Sequence, residues 1–376
     1  TLVAGRSEWA LRFLSIVGSM LACGLLVILA HRFFERRVAL VAGLLLAASP
    51  FVVKWSQQAR GYTLGLAASL LATLLLLRAL DRGTRRAWVV YGLALSLVVV
   101  WHPVVGVLLV PVHAVLAWQR RDAVLPHGLL AAIVAGAFAV PWAALVALRS
   151  TGEGVAMDWL TFPSLETAVW AVADVSGALG VGAVLAVVGV VALRRAGRSE
   201  LATWLGVWAA APFALSLLVS LVRPIYLDRY LLVAAPAFAL LAAVALFALA
   251  PRVRLLAASA LAAATAFGVV QWYALGVNGN WRGEDWRSAT ALVLERRAEA
   301  DAVVVAPWSA APAARYYGAE VVDVSTADRI WVLAWSETAE ETTAEERRAL
   351  GFGEHRLVER AEFGRRLSAD LWERPG

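Results

Sequence analysis

The chain has 376 residues, of which 61% are hydrophobic and only 16% are charged. That balance excludes an ordinary soluble domain, in which about a quarter of residues are charged, and points to repeated crossings of a bilayer. The formal net charge of +6 is no sign of nucleic-acid binding, because the basic excess lies in short loops between apolar stretches.

Taken in chain order, ten stretches are apolar over the length a spanning helix needs, about 20 residues or somewhat fewer where the bilayer thins. They are 10–30, 38–53, 61–80, 87–101, 103–118, 126–148, 176–193, 201–222, 230–249 and 255–275. The expected architecture is an all-α polytopic bundle over residues 1–277 with a small α/β domain over 278–376. Cys23, the single cysteine, lies in the first stretch, so no intrachain disulfide can form, and it reads as a small apolar core residue. The chain begins with Thr1 and shows no signal-peptide pattern. It is expected to be a fragment whose natural N-terminus lies upstream.

Orientation follows from the distribution of Arg and Lys. The loops 31–37, 78–88, 119–127, 194–200 and 251–254 hold fourteen of these residues, and the alternate loops 54–62, 101–103, 149–177 and 223–229 hold five. The first set is expected in the cytoplasm. Residues 87–118 then have to cross twice, turning at Trp101-His102-Pro103, where proline interrupts the helical pattern. The same parity places residues 278–376 outside the cytoplasm of a multi-pass cell-membrane protein. The loop 149–177, amphipathic and carrying Trp159, Phe162 and Trp170, reads as an interfacial element on the outer leaflet.

Residues 1–277 hold 21 basic and 10 acidic groups, whereas residues 278–376 hold 13 and 18. In that acidic tail "EDWRSATALVLERRAEA" and "TTAEERRAL" have helical spacing, and "AVVVAP" and "RIWVLAW" read as buried strands. The Glu-rich run 337–346 reads as a solvated helix face. No internal repeat and no low-complexity linker is visible.

The chemistry concentrates in "SPFVVKWSQQARGYTLG" (49–65), where Lys54 and Arg60 stand beside Gln57, Gln58 and Tyr62 between two apolar stretches. Cytoplasmic cations orient a membrane protein, but Lys54, Arg60, Arg223 and Arg229 lie on the opposite side. A charge there is suited to an anionic group at the outer surface, and a guanidinium gives paired donors to phosphate oxygens. His102, at the tip of the 87–118 hairpin, is placed to donate to a sugar or phosphate. His113 sits among apolar residues and reads as a bonded core histidine. Asp228 reads as a local ion-pair partner of Arg229, and none of the other outer carboxylates (Glu8, Glu153, Asp158, Glu166, Asp174, Glu284, Asp285) pairs with spacing suited to acid–base work. No His/Cys/Asp grouping has metal-ligand spacing, so neither metal nor cofactor is expected.

These stretches carry a family resemblance. "GRSEWALRFLSIVGSML" and "ALVAGLLLAASPFVVKWSQQARGYTLGLAASLLATLLLLRAL" resemble integral membrane glycosyltransferases of the protein O-mannosyltransferase type, glycosyltransferase family 39 and its relatives. The family's Ser-Gln-Glu-Ala-Arg-x-Tyr pattern stands here as Ser56-Gln57-Gln58-Ala59-Arg60-Gly61-Tyr62, with Gln58 replacing the usual Glu. "RPIYLDRYLLVAAPAFALLAA" (223–243) resembles the family's later Arg-Tyr-Leu segment, here Arg229-Tyr230-Leu231, and "EDWRSA" its Asp-Trp-Arg.

The resemblance implies the C-type glycosyltransferase fold and a polyprenyl-phosphate-linked sugar donor, with mannose the sugar of the family's name. The sugar passes to an extracytoplasmic acceptor, a protein, lipid or glycan. It implies substrate-binding roles for Gln57, Arg60, Tyr62, Arg229 and Tyr230, to which the outer positions of Lys54 and His102 add those two residues. It also implies that the catalytic carboxylate lies in the loop after the family's first span, upstream of Thr1. The alternative from another class is a transporter or flippase for an anionic lipid-linked substrate, which also wants membrane cations but tends to show half-repeats and midplane charges. A membrane anchor presenting the α/β tail to a partner leaves the outer cations unexplained.

Overall fold

The computed structural model describes residues 8–124, 127–149, 162–222, 224–277, 285–306, 310–322, 327–335, 351–364 and 367–375. Two compact units divide within one helix, at Val269 and Val270. The first is helical throughout: α1 (Glu8–His31), α2 (Arg36–Ala48), α3 (Pro50–Ser56), α4 (Tyr62–Arg82), α5 (Arg85–Trp101), α6 (Pro103–Gln119), α7 (Arg121–Val124), α8 (Gly128–Arg149), α9 (Leu165–Ser176), α10 (Val181–Arg195), α11 (Ser199–Ser220), α12 (Ala235–Ala248) and α13 (Pro251–Val277). A 3-10 segment, Asp228–Ala234, leads directly into α12.

Six helical stretches of the described residues are long and apolar enough to cross a membrane, and a seventh if α2 and α3 form one span. α6 and Gly128–Trp142 of α8 are shorter apolar helices, so composition and length carry the expected ten crossings only this far. The stretch expected at 38–53 is not one straight helix. It bends by 58° between α2 and α3. Pro50 opens α3, and Ser49 before it adopts φ −58°, ψ 120°, because a residue preceding proline is pushed out of the helical region. The turn expected at Trp101-His102-Pro103 is present, with His102 extended at φ −159°, ψ 101° between α5 and α6.

The apolar pattern sorts the helices into depths. α12 is apolar on every side and nearly all of it is buried, packed between α10 and α2, as a helix without a polar face must be. α1 packs on α2 and α4, α4 on α5, and α5 on α8. Leu14, Met20, Ile28, Leu44, Val110, Leu129, Val184, Leu218 and Leu255 stay exposed on outward faces, a quantity of large apolar surface that suits lipid rather than water. Close approach of α1 to α4 depends on Gly18, where a Cβ would stand 2.7 Å from the Leu64 backbone nitrogen. His113 is a bonded core histidine as expected, held by Thr73 Oγ1 and Tyr91 Oη at 3.0 Å each.

The second unit holds α14 (Trp286–Arg296), β1 (Ala302–Ala306), α15 (Ala311–Tyr316), β2 (Arg329–Trp335), β3 (Arg356–Glu362) and β4 (Leu367–Glu373). The sheet order is β1-β2-β4-β3, with β1 and β2 parallel and the other pairs antiparallel. α14 and both expected strands are found, with Asp285 capping α14 by accepting from the Ser288 backbone N–H at 3.0 Å. The helix expected in "TTAEERRAL" and the Glu-rich run lie outside the described residues. Alternate residues of β1, β2 and β4 feed apolar clusters on the two faces of the sheet. Asp370, fully buried on β4, is held by a two-pronged Arg360 at 2.9 and 2.7 Å.

Candidate active site

At one end of the helical unit the bend after α2, the start of α4, the α5–α6 turn, α9 and the 228–234 segment come together. Each is there for a local reason. The short α3 turns Lys54 and Trp55 inward, and the chain from Gln57 to Gly61 is pinned to α1 because Ser15 Oγ donates to the Arg60 carbonyl at 2.9 Å. Thr63 Oγ1 donates in turn to the Ser15 carbonyl at 2.6 Å. Gly61 passes so close to Trp101 that a Cβ would meet its ring at 3.2 Å, which explains the glycine between Arg60 and Tyr62. Ser164 caps α9 by accepting from the Thr167 N–H at 3.1 Å.

An aromatic wall runs across this end. The Trp55 and Tyr62 rings meet edge to face at 5.2 Å, Tyr62 and His102 lie 5.4 Å apart, and His102 and Tyr230 lie 4.7 Å apart. Arg229 lies over Tyr230 at 5.7 Å, and Arg60 Nη1 donates to the Tyr62 hydroxyl at 3.4 Å. The structure therefore brings together Arg60, Tyr62, His102, Arg229 and Tyr230, which come from three separate parts of the sequence. Gln57, half-buried, is the C-cap of α3. Arg223, Glu153, Asp158, Trp159 and Glu284 lie outside the described residues, and nothing is assigned to the Glu8 side chain.

Lys54 differs from the other cations. It is the only lysine in the chain. Its ammonium donates to Asp228 Oδ2 at 3.0 Å and sits 4.8 Å over the Trp55 ring. The other oxygen, Asp228 Oδ1, accepts from the Arg229 backbone N–H at 2.7 Å. Asp228 is thus an ion-pair partner, but of Lys54, 174 residues away, with Arg229 contributing its backbone. The Arg229 side chain stays out of that pair, and its Nε is buried with no partner among the described residues.

Three titrations follow from this packing. Burial, reinforced by the positive charge of Arg229, lowers the His102 pKa to about 4, so the ring is neutral at physiological pH. Its Nδ1 is buried and unpartnered among the described residues, so it is available to a ligand. Asp174, on α9, was missed as a member of this cluster. Part of its side chain is open, yet apolar surroundings raise its carboxyl pKa; nearby Lys54 opposes that shift and Asp228 adds to it. Tyr226 donates to the Ala168 carbonyl at 3.5 Å, tying the 228–234 segment to α9. Burial and the Asp228 charge push its phenol up to about 12. No group of three or more His, Cys, Asp or Glu able to hold a metal occurs among the described residues.

A convergence of cations and aromatic rings at the end of an apolar helical bundle, under a bent helix pair, marks the candidate site of a polytopic membrane protein. Comparison narrows the class. Residues 1–144 match the family described as dolichyl-phosphate-mannose-protein mannosyltransferase. The whole chain shares its fold with ArnT from Cupriavidus metallidurans. The structure bound to undecaprenyl phosphate superposes with a TM-score of 0.68 at 17% identity, covering 97% of this chain and 84% of that one. The apo structure gives 0.64 at 17% identity, covering 96% and 83%. No curated protein sequence matches the chain significantly. The resemblance read from the sequence, to a membrane glycosyltransferase of the family 39 type with the C-type fold, is borne out by the family match and the shared fold.

Proposed function

We propose that the chain is a membrane glycosyltransferase that takes a sugar from a polyprenyl-phosphate donor and passes it to an acceptor at the extracytoplasmic face. The observation that carries this reading is the convergence of Arg60 and Arg229 with Tyr62, His102 and Tyr230 at one end of the bundle. It is supported by the fold shared with a protein solved with undecaprenyl phosphate bound. In the reaction an acceptor hydroxyl oxygen attacks the anomeric carbon and the bond to the phosphate oxygen breaks. The hydroxyl proton goes to a carboxylate, and the polyprenyl phosphate leaves with its charge held by the guanidinium groups. The arginines are the phosphate ligands, the aromatic wall flanks the sugar, and neutral His102 offers Nδ1 to a sugar hydroxyl or phosphate oxygen. Lys54, already neutralised by Asp228, fixes the 228–234 segment and adds positive field. No described residue is assigned as the base.

A transporter would want its ionisable groups near the midplane. Here Lys54, Arg60, His102 and Arg229 all lie at helix ends or in turns. The test is a transfer assay. Protein of the gene's full natural length is purified and given synthetic polyprenyl-phosphate mannose, glucose and aminosugar donors with membrane extracts as acceptors, and sugar incorporation is read. Incorporation from at least one donor that is abolished by Arg229→Ala supports the reading. Facilitated flipping of the donor without transfer, or no change in Arg229→Ala, overturns it.

A further inference from the structure

A second cavity, of about 450 Å³, opens at the other end of the same helices. Tyr62 in the active-site cluster and Asp81 beside this cavity are both on α4, 19 residues and so roughly 28 Å apart. The cavity is unrelated to the donor site described above. Its walls are of two kinds. Phe33, Leu77, Leu116 and Trp204 make an apolar floor, while Arg120, Arg198 and Gln119 stand at its polar side with Asp81 and Glu200.

The polar groups are largely spoken for, in a way that leaves positive charge over. Asp81 is bound by Arg32 and lies 3.8 Å from Arg120, so one carboxylate faces two guanidinium groups. Arg198 donates to the Phe33 carbonyl at 2.7 Å and stacks over Phe34 at 4.7 Å, and Gln119 donates to the Glu200 carbonyl at 2.9 Å. Arg120 keeps a side chain that is 55% exposed. The first turn of α11, which no side chain caps, lines the same cavity and presents the positive end of the helix. Independently, Trp204 on the apolar floor is 1% exposed, and its indole N–H has no partner among the described residues. A buried donor of that kind costs stability unless something accepts from it.

We propose that this cavity binds the headgroup of an anionic phospholipid from the leaflet at the arginine-rich ends of the helices. The phosphate oxygens accept from Arg120, from the first turn of α11 and from the Trp204 N–H, and the first methylenes of the lipid chains lie along Leu77, Leu116 and Phe33. The apolar floor is the reason for choosing a lipid over a free anion, since inorganic phosphate gains nothing from those residues.

The experiment uses the full chain in phosphatidylcholine nanodiscs, titrated with dioleoyl phosphatidic acid, with bound lipid counted by native mass spectrometry. It is run in an Arg60→Ala/Arg229→Ala background so that the donor site does not contribute. The proposal expects retained phosphatidate that is weakened about tenfold by Arg120→Gln, the loss of one charge-assisted contact, and severalfold by Trp204→Phe, which removes the N–H together with the five-membered ring of the indole. Millimolar inorganic phosphate should fail to displace it. Arg120 is half exposed, so Arg120→Gln decides the matter if Trp204→Phe unfolds. Unchanged phosphatidate retention in Arg120→Gln overturns the proposal, as does displacement by inorganic phosphate, which would make the cavity a free-anion site.

Discussion

Lys54 and Asp228 show how a charge near lipid is made tolerable. With side-chain exposures of 26% and 30%, the pair lies between the surface case, worth about 0.2–1 kcal/mol, and the buried case, in which removing one partner costs about 3–5 kcal/mol. A double-mutant cycle with Lys54→Met and Asp228→Asn is expected to give a coupling of about 1–2 kcal/mol in thermal stability. Strictly additive losses would show that the 3.0 Å contact is not maintained. For His102, a folded pKa of about 4 against an ordinary 6.5 means that protonation favours unfolding as pH falls below 6.5. Transfer should therefore run flat through pH 6–7.5 with respect to this ring, and stability should decline from pH 6.5 towards 4 less steeply in His102→Gln. An activity inflection near 6.5 that His102→Gln removes would contradict a neutral ring. Arg60, Tyr62, Arg229 and Tyr230 were legible because they stand in recognisable sequence stretches. The Lys54–Asp228 bridge and the place of Asp174 were not, since both depend on packing between residues more than a hundred positions apart.

Among the elements, helices were legible wherever apolar runs were long, and their interruptions were legible wherever proline caused them. Pro103 was read as a break and Pro50 was not, although both begin helices; the apolar run through Ser49 and Pro50 masked the second. The bend after α2 carries Lys54 and Trp55 into the site. Pro50→Ala is expected to relax the 58° bend and to reduce transfer severalfold with insertion intact, as judged by activity alongside detergent-solubilised yield. Unchanged activity would show that the neighbouring contacts, not proline, set the bend. Gly18→Leu tests the α1–α4 contact. A side chain forced against the Leu64 backbone should cost about 1–3 kcal/mol, read as a fall in unfolding temperature. β3 was missed for a different reason. "RLVERAE" is mostly polar, and β3 is an edge strand with a register shift between Leu357 and Glu359, so no apolar alternation announces it.

For the whole molecule, composition established the membrane class. Neither the acceptor nor the crossing number follows from it, because short helices such as α6 sit at the margin of spanning length. From the distribution of Arg and Lys we propose that the 78–88 loop and residues 278–376 lie on opposite sides of the membrane. An alkaline-phosphatase fusion after Gly276 should be active and one within 78–86 silent, and the reverse pattern would invert the assignment of the two ends. The central claim, however, is that the Arg60–Arg229 end holds the donor phosphate. The most direct test is equilibrium binding of undecaprenyl phosphate to the purified wild-type chain and to Arg60→Ala, Arg229→Ala and the double variant, each first shown to unfold at the wild-type temperature. The account predicts affinity reduced about tenfold or more in each single variant and further in the double, with Arg60→Lys recovering only part because an ammonium cannot reproduce a forked contact. Wild-type affinity in the folded double variant would contradict it.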